Sequence, residues 1–197
     1  MANSVKANRF NIKRIVYAKV LKDDATAYEH GPIKTFGAPM TAQFTPSYAN
    51  GILYGGGVKT EDTTKLTGGA LKVEVNKIPI EVRADIYGHT YEDGILKVNK
   101  DDQAKDIAIG YEIEQTGGKS EFTWLFKCKA KPLGKNAQQS TENMNYSTDS
   151  MDIAVMAREN NGDFHYDADT ANPDFTAEMA ATFLNTIPGG ELVAEGA

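Results

Sequence analysis

The side chains in this sequence best suited to chemistry are His30, His89, His165, Cys128 and the acidic pairs Asp23-Asp24 and Asp101-Asp102. Two imidazoles four residues apart on a helix would hold a zinc ion, but no two of these histidines have that spacing. Each stands beside turn-forming residues and reads as a surface imidazole. Cys128 is the only cysteine, which rules out an internal disulfide and any site built on several thiolates. It lies in an alternating apolar run, the setting of a small buried hydrophobe. The acidic pairs lack the ligand spacing of a calcium loop and read as solvated turns. Gly55-Gly56-Gly57-Val58-Lys59 begins like a phosphate-binding loop but lacks the Gly-Lys-Ser/Thr ending. No Gly-x-Ser-x-Gly nucleophile elbow is present. The expectation is a protein that is not an enzyme and that takes no cofactor and no metal.

Composition sets the frame for these residues. The chain has 197 residues, 41% hydrophobic and 24% charged, which suits one soluble domain with a real core. No stretch reaches the roughly 20 apolar residues needed to span a bilayer. Met1-Ala2-Asn3-Ser4-Val5-Lys6 lacks the apolar core of a secretory signal, so a cytoplasmic product is expected. The net charge of −6 is unevenly spread. Residues 1–136 carry 20 bases and 16 acids, whereas 137–197 carry Arg158 alone against 11 acids. The acidic third is either a solvated tail or a face for a basic surface on its own subunit or a neighbour. Lys127, Lys129, Lys131 and Lys135 form a basic stripe, too small for tight DNA binding in a net negative chain.

The dominant period is two. Phe122, Trp124, Phe126, Cys128 and Ala130 alternate with Thr123, Leu125, Lys127, Lys129 and Lys131, predicting a strand with an aromatic inner face and a mostly basic outer one. Ile107, Ile109, Tyr111 and Ile113 predict its hairpin partner across Thr116-Gly117-Gly118-Lys119. Glu112 and Glu114 are then expected to pair with Lys127 or Lys129. Further strands are expected from Phe10 to Leu21, Ala38 to Tyr48, Leu71 to Val75, Gly94 to Val98 and Ile153 to Ala157. Ile78 to His89 fits both strand and helix periods, and Pro79 with Gly88 tips it to a short helix. A second helix is expected after Asn172-Pro173, with a stripe of Phe175, Met179 and Phe183. This stripe packs on its own sheet or docks on a neighbouring subunit. The glycine-rich acidic end after Ile187 is expected to be mobile. Thr45 to Gly69 combines Tyr48, Leu53 and Tyr54 with Gly55-Gly56-Gly57 and the polar run Lys59 to Lys65, and its aromatics need something to pack on.

The ordered series Thr41-Ala42-Gln43-Phe44, Tyr48-Ala49-Asn50-Gly51, Gly69 to Val75, Ile78-Pro79-Ile80-Glu81-Val82, Tyr87-Gly88, Asp93 to Leu96 and Ala108 to Ile113 resembles the major tail protein (tail tube protein) family of long-tailed siphophages, the type infecting Gram-positive hosts. Gly117-Gly118-Lys119 through Pro132, Gln139-Ser140-Thr141 and Asp152 to Arg158 continue the pattern, so that it spans about residues 10–170. The resemblance implies a β-rich (α+β) fold, a β-sandwich or distorted barrel with one flanking short helix and a long loop or hairpin arm. The domain would run over 1–170 with the arm at 45–69, followed by a C-terminal helix and acidic tail over 171–197. It implies a structural virion protein whose copies form hexameric rings, stacked into a tail tube for DNA passage and assembled in the host bacterial cytoplasm. The implied partners are its own copies, the tape measure and tail terminator proteins, and DNA that passes through the lumen without tight binding; no membrane is involved. An acidic lumen wall would suit that passage. Tyr48, Leu53, Tyr54, Lys59, Lys65, Phe175, Met179 and Phe183 are the candidate inter-subunit contacts. The alternative is a non-catalytic β-sandwich binding or decoration module that recognises carbohydrate or protein, with Tyr48, Tyr54 and Tyr91 as its aromatic patch.

Overall fold

The computed structural model describes residues 6–135, 139 and 146–194. Ser140 and Thr141 of the closing segment, and the first five residues, lie outside these. The order is β1 (Arg9–Asp23), β2 (Tyr28–His30), β3 (Lys34–Gly37), β4 (Pro39–Gly55), β5 (Val58–Val75), α1 (Ile80–Tyr87), β6 (Thr90–Glu92), β7 (Ile95–Lys97), β8 (Asp106–Gln115), β9 (Lys119–Ala130), β10 (Asp149–Met156), β11 (His165–Asp169), α2 (Ala177–Phe183) and β12 (Glu191–Leu192). The fold is β-rich α+β. Ten strands join in one sheet along the path β12-β2-β1-β8-β9-β10-β5-β4, with β11 beside β9 and β3 beside β1, and the sheet does not close into a barrel. It is mixed because β12 lies parallel to β2. β6 and β7 make a separate hairpin.

The sheet curls over its inner face. Ile15 and Tyr17 of β1, Leu71, Val73 and Val75 of β5, Ile107 and Ile109 of β8 and Ile153 and Val155 of β10 meet in one buried cluster. α1 covers it with Val82, Ile86 and Tyr87. The proline and glycine signals at this helix hold: the first helical bond runs from Arg83 N–H to the Pro79 carbonyl, and the helix stops at Gly88 in the left-handed conformation. Period two lost there because a proline N–H is missing where a sheet ladder would need it.

The β8–β9 hairpin forms with its turn at 116–118 and both glycines at positive φ. Two expectations about it fail. The pairing sets Glu112 opposite Phe122, so Lys127 and Lys129 lie far along the ladder. Glu112 instead accepts bonds from Lys13, Arg14 and Ser120, while Lys127 pairs with Asp23 and Glu159, and Lys129 with Asp106. The single aromatic inner face also fails. A bulge lies between the Ile107–Cys128 and Ile109–Leu125 pairs, adding a residue to β9 and reversing the sense of its faces. Leu125, Cys128 and Ala130 therefore enter the first cluster, and Phe122, Trp124 and Phe126 enter a second on the other side. β9 is a strand buried on both faces.

Residues 171–187 cover that second side. The helix cap is Thr176, whose hydroxyl accepts from Met179 N–H, and not Asn172, which closes the turn before it. Phe175 and Phe183 pack on Phe122, and the Trp124 indole N–H donates to the Phe183 carbonyl at 2.7 Å. Beyond Ile187 the expected mobile end is tied down as far as β12. Arg158, only 2% exposed, stacks its guanidinium 4.2 Å from the Phe126 ring centre and bonds Asp163 and the Pro188 carbonyl. The one base of the acidic third is thus spent inside the fold.

The two layers meet closely at Gly110, where an added methyl would lie 2.8 Å from Leu184 Cδ2 and 3.0 Å from the Trp124 ring. Gly110→Ala is expected to destabilise the chain by about 1–3 kcal/mol through overpacking. Urea unfolding would measure that loss, and a red shift of Trp124 fluorescence in the folded state would show the C-terminal layer lifting.

Candidate assembly surface

β4 and β5 have register partners from Pro39 opposite Val75 out to Gly55 opposite Val58. Only the inner part of this hairpin belongs to the body, since β10 pairs with β5 from Val75 no further than Gly69. From Tyr48 to Leu66 the two strands pair with each other alone and form a projecting arm. The expected loop or hairpin of 45–69 is therefore a β-ribbon, with its turn at Gly56-Gly57.

The arm inherits the alternation of its root. Ala42 and Phe44 on β4 face the first core cluster. Both register shifts beyond them place the extra residue on β5, so β4 keeps its parity and carries Tyr48, Asn50, Ile52 and Tyr54 on the same face. Leu66, opposite Tyr48, joins them. The core-facing side of the sheet thus continues past the body with apolar residues still on it. Outside the body that face is bare: Tyr48 is 58% exposed, Ile52 50% and Tyr54 66%. Leu53 is on the opposite face beside Glu61, and Val58 at the tip is exposed too.

The edge of the sheet is equally unguarded. β4 is the last strand on its side, 17 residues long, and carries no charged residue. Sheet edges are normally blunted by lysines, short strands or bulges. Here the interruptions are Pro39, Pro46 and the register shifts along the β4–β5 ladder, one of which puts an extra residue on β4 between Pro39 and Thr41.

The sequence-predicted contact residues divide accordingly. Tyr48 and Tyr54 share a face, Leu53 lies on the reverse with Lys65, and Lys59 at the tip pairs with Asp62. Phe175 and Phe183 are occupied on their own sheet, whereas Met179 points outward, 49% exposed. Ile52 and Leu66 were missed, although period two counted outward from Phe44 reaches Ile52.

Most of the residues first singled out for chemistry are hydrogen-bonded or buried within the fold. His30 is buried, not superficial, with its Nδ1 2.7 Å from the Gly31 carbonyl. His89 stacks on Tyr87 and bonds Asp102, so neither of those is a solvated surface group. His165 is half-buried beside Asp167. Asp23 accepts from the Glu159 and Asn160 amides and from Lys127; burial opposes its charge, but these bonds hold the carboxyl below the ordinary range. Burial pushes the Cys128 thiol well up. Among the described residues no group of three His, Cys, Asp or Glu is placed to hold a metal ion. No described helix is long and apolar enough to cross a membrane.

No protein-family model matches the chain, and no curated protein matches its sequence.

α1, which closes the body at the end away from the arm, is anchored by Asp85. Its carboxylate receives Tyr17 Oη at 3.0 Å, Lys34 at 2.5 Å and Lys19 at 3.4 Å. Burial would raise this carboxyl, but the Lys34 ammonium, the Tyr17 hydroxyl and Lys19 together depress it. A carboxyl depressed in the folded state stabilises above its unfolded value of about 3.9, and the contribution fades as pH falls through the lower folded value. Asp85→Asn should cost on the order of 2 kcal/mol at neutral pH. Unfolding curves of the two proteins should converge below about pH 4.

Proposed function

We propose that this chain is a structural subunit that assembles with copies of itself into stacked, hexameric rings, forming the tail tube of a long-tailed phage. The observation that carries this reading is the arm: a two-stranded ribbon projecting from the body, with an uncharged edge and a run of exposed apolar side chains on one face. An isolated two-stranded ribbon is marginal in water and needs a surface to lie on. Subunit assembly supplies that surface and closes the edge of β4 by pairing. A non-catalytic role agrees with it, because a conduit works through shape, edge pairing and charge. The order of motifs described above supplies the phage identity, and with it a virion location, tape measure and terminator partners, and DNA passing through the lumen without tight binding.

The arm can be removed without cutting the core. Ser47 and Gly68 are register partners at its root, so a two-residue turn in place of residues 48–67 leaves the paired body intact. The full chain is expected to form rings or tubes at high concentration, seen by light scattering and negative-stain microscopy. The shortened chain should melt cooperatively and stay monomeric. A full chain that remains a monomer at high concentration would overturn the reading, as would tubes from the shortened one.

A further inference from the structure

A cleft of about 390 Å³ opens where α1 meets the exit of β9, walled by Tyr87, Val98, Ala104, Pro132 and Leu133. Arg83 lines it. The Arg83 Nε is buried and has no hydrogen-bond partner among the described residues, and no acidic side chain among them forms an ion pair with its guanidinium. His89, the other basic group at the cleft, is engaged by Asp102 Oδ2, which also accepts from the Asn99 amide, and Asp102 forms no ion pair with Arg83. A half-buried guanidinium in an apolar cleft calls for a ligand that joins an apolar group to a carboxylate.

The arm tip carries that combination. Leu53 and Glu61 are direct cross-strand partners and project together from one face of the ribbon. Leu53 is 59% exposed. Glu61 is exposed as well; its carboxylate receives the Thr63 hydroxyl at 3.3 Å and makes no ion pair among the described residues. The neighbouring acid, Asp62, is on the other face and already paired with Lys59.

An arm cannot reach the cleft of its own chain. The tip stands at the start of β5, and α1 follows the far end of this 18-residue strand. At strand rise this is on the order of 50 Å. The two surfaces therefore lie at opposite ends of the subunit. A contact between them joins different copies, and where it runs head to tail it propagates into rings or stacks.

We propose that Leu53 and Glu61 of one copy's arm seat in the α1 cleft of the next copy, with the Glu61 carboxylate on the Arg83 guanidinium. This inference rests on the assembly reading and adds the receiving surface to it. The test is a charge exchange in the full-length chain: Glu61→Arg, Arg83→Glu, and both together. Each single variant should raise the concentration needed for assembly by about tenfold or more. The double variant, and an equimolar mixture of the two single variants, should recover assembly, since the pair is rebuilt across copies. Circular dichroism melting checks that each variant is folded; should Arg83→Glu fail to fold, Arg83→Met against Glu61→Gln gives the same comparison by loss alone. Assembly unchanged in the folded single variants overturns the Arg83 contact while leaving the assembly reading in place. Loss without recovery in the double variant and the mixture also overturns it. A wild-type chain that never assembles overturns both.

Discussion

A strand must place every second side chain on the same face, whether or not the core extends that far. β4 and β5 are longer than the core they help to build, and the rest of the molecule follows from that excess. Near the root, Phe44 and Leu71 are partners facing the first cluster. From four residues further out the same face carries Tyr48, Ile52 and Tyr54 into solvent. Exposed apolar side chains scattered singly are ordinary on a protein surface. A run of them on one face of a ribbon, continuous with the core and beside an uncharged edge, is a surface that lacks its counterpart.

The body around that ribbon is built to stand without closing. An open, curled sheet has two faces to cover, and here each has its own lid. α1 lies over the inner cluster, anchored by Asp85, and residues 171–187 lie over the outer one. Arg158 locks the second lid by a stack on Phe126 and a bond to the Pro188 carbonyl, using the sole base of the C-terminal third as an internal fastener. Covering both faces makes β9 apolar on both sides, so its middle reads as a continuous buried run and not as an amphipathic alternation. The bulge that turns Cys128 to the inner cluster while Phe126 faces the outer one is how a single strand serves both.

These features explain what was legible in the sequence. Local signals survived wherever backbone chemistry alone decides: the glycine turn at 117–118, the helix between Pro79 and Gly88, and the β8–β9 pairing. Features that depend on partners distant in sequence were lost. Lys127 was expected on Glu112 and found Asp23, because which charges meet depends on register and on the layer beyond β9. His30 looked like a surface imidazole because nothing nearby in sequence announces that the chain end will fold back over it through β12. The arm was visible as an aromatic segment without a home. Its amphipathic face was not, since two bulges on β5 must be placed before the cross-strand partners are known. Arg83 gave no signal at all; an isolated arginine in a short helix is informative only once the cleft around it is seen.

The unsatisfied features of the molecule are distributed with a polarity. The bare ribbon face, the uncharged edge and Glu61 lie toward the start of β5, while the unpartnered Arg83 Nε lies beyond its end. A two-fold dimer could satisfy both only by reciprocal exchange, each arm entering the other copy's cleft, and it would stop at two copies. A head-to-tail arrangement satisfies arm and cleft in the same contact and regenerates one free arm and one free cleft at the ends of the growing assembly. In the proposed head-to-tail assembly the contact is self-propagating, and closure into a ring or a capping partner ends it. The body meanwhile satisfies Asp85, Glu112 and Arg158 within its own fold, so its folding interactions do not draw on the arm or the Arg83 cleft, which the proposed assembly would use.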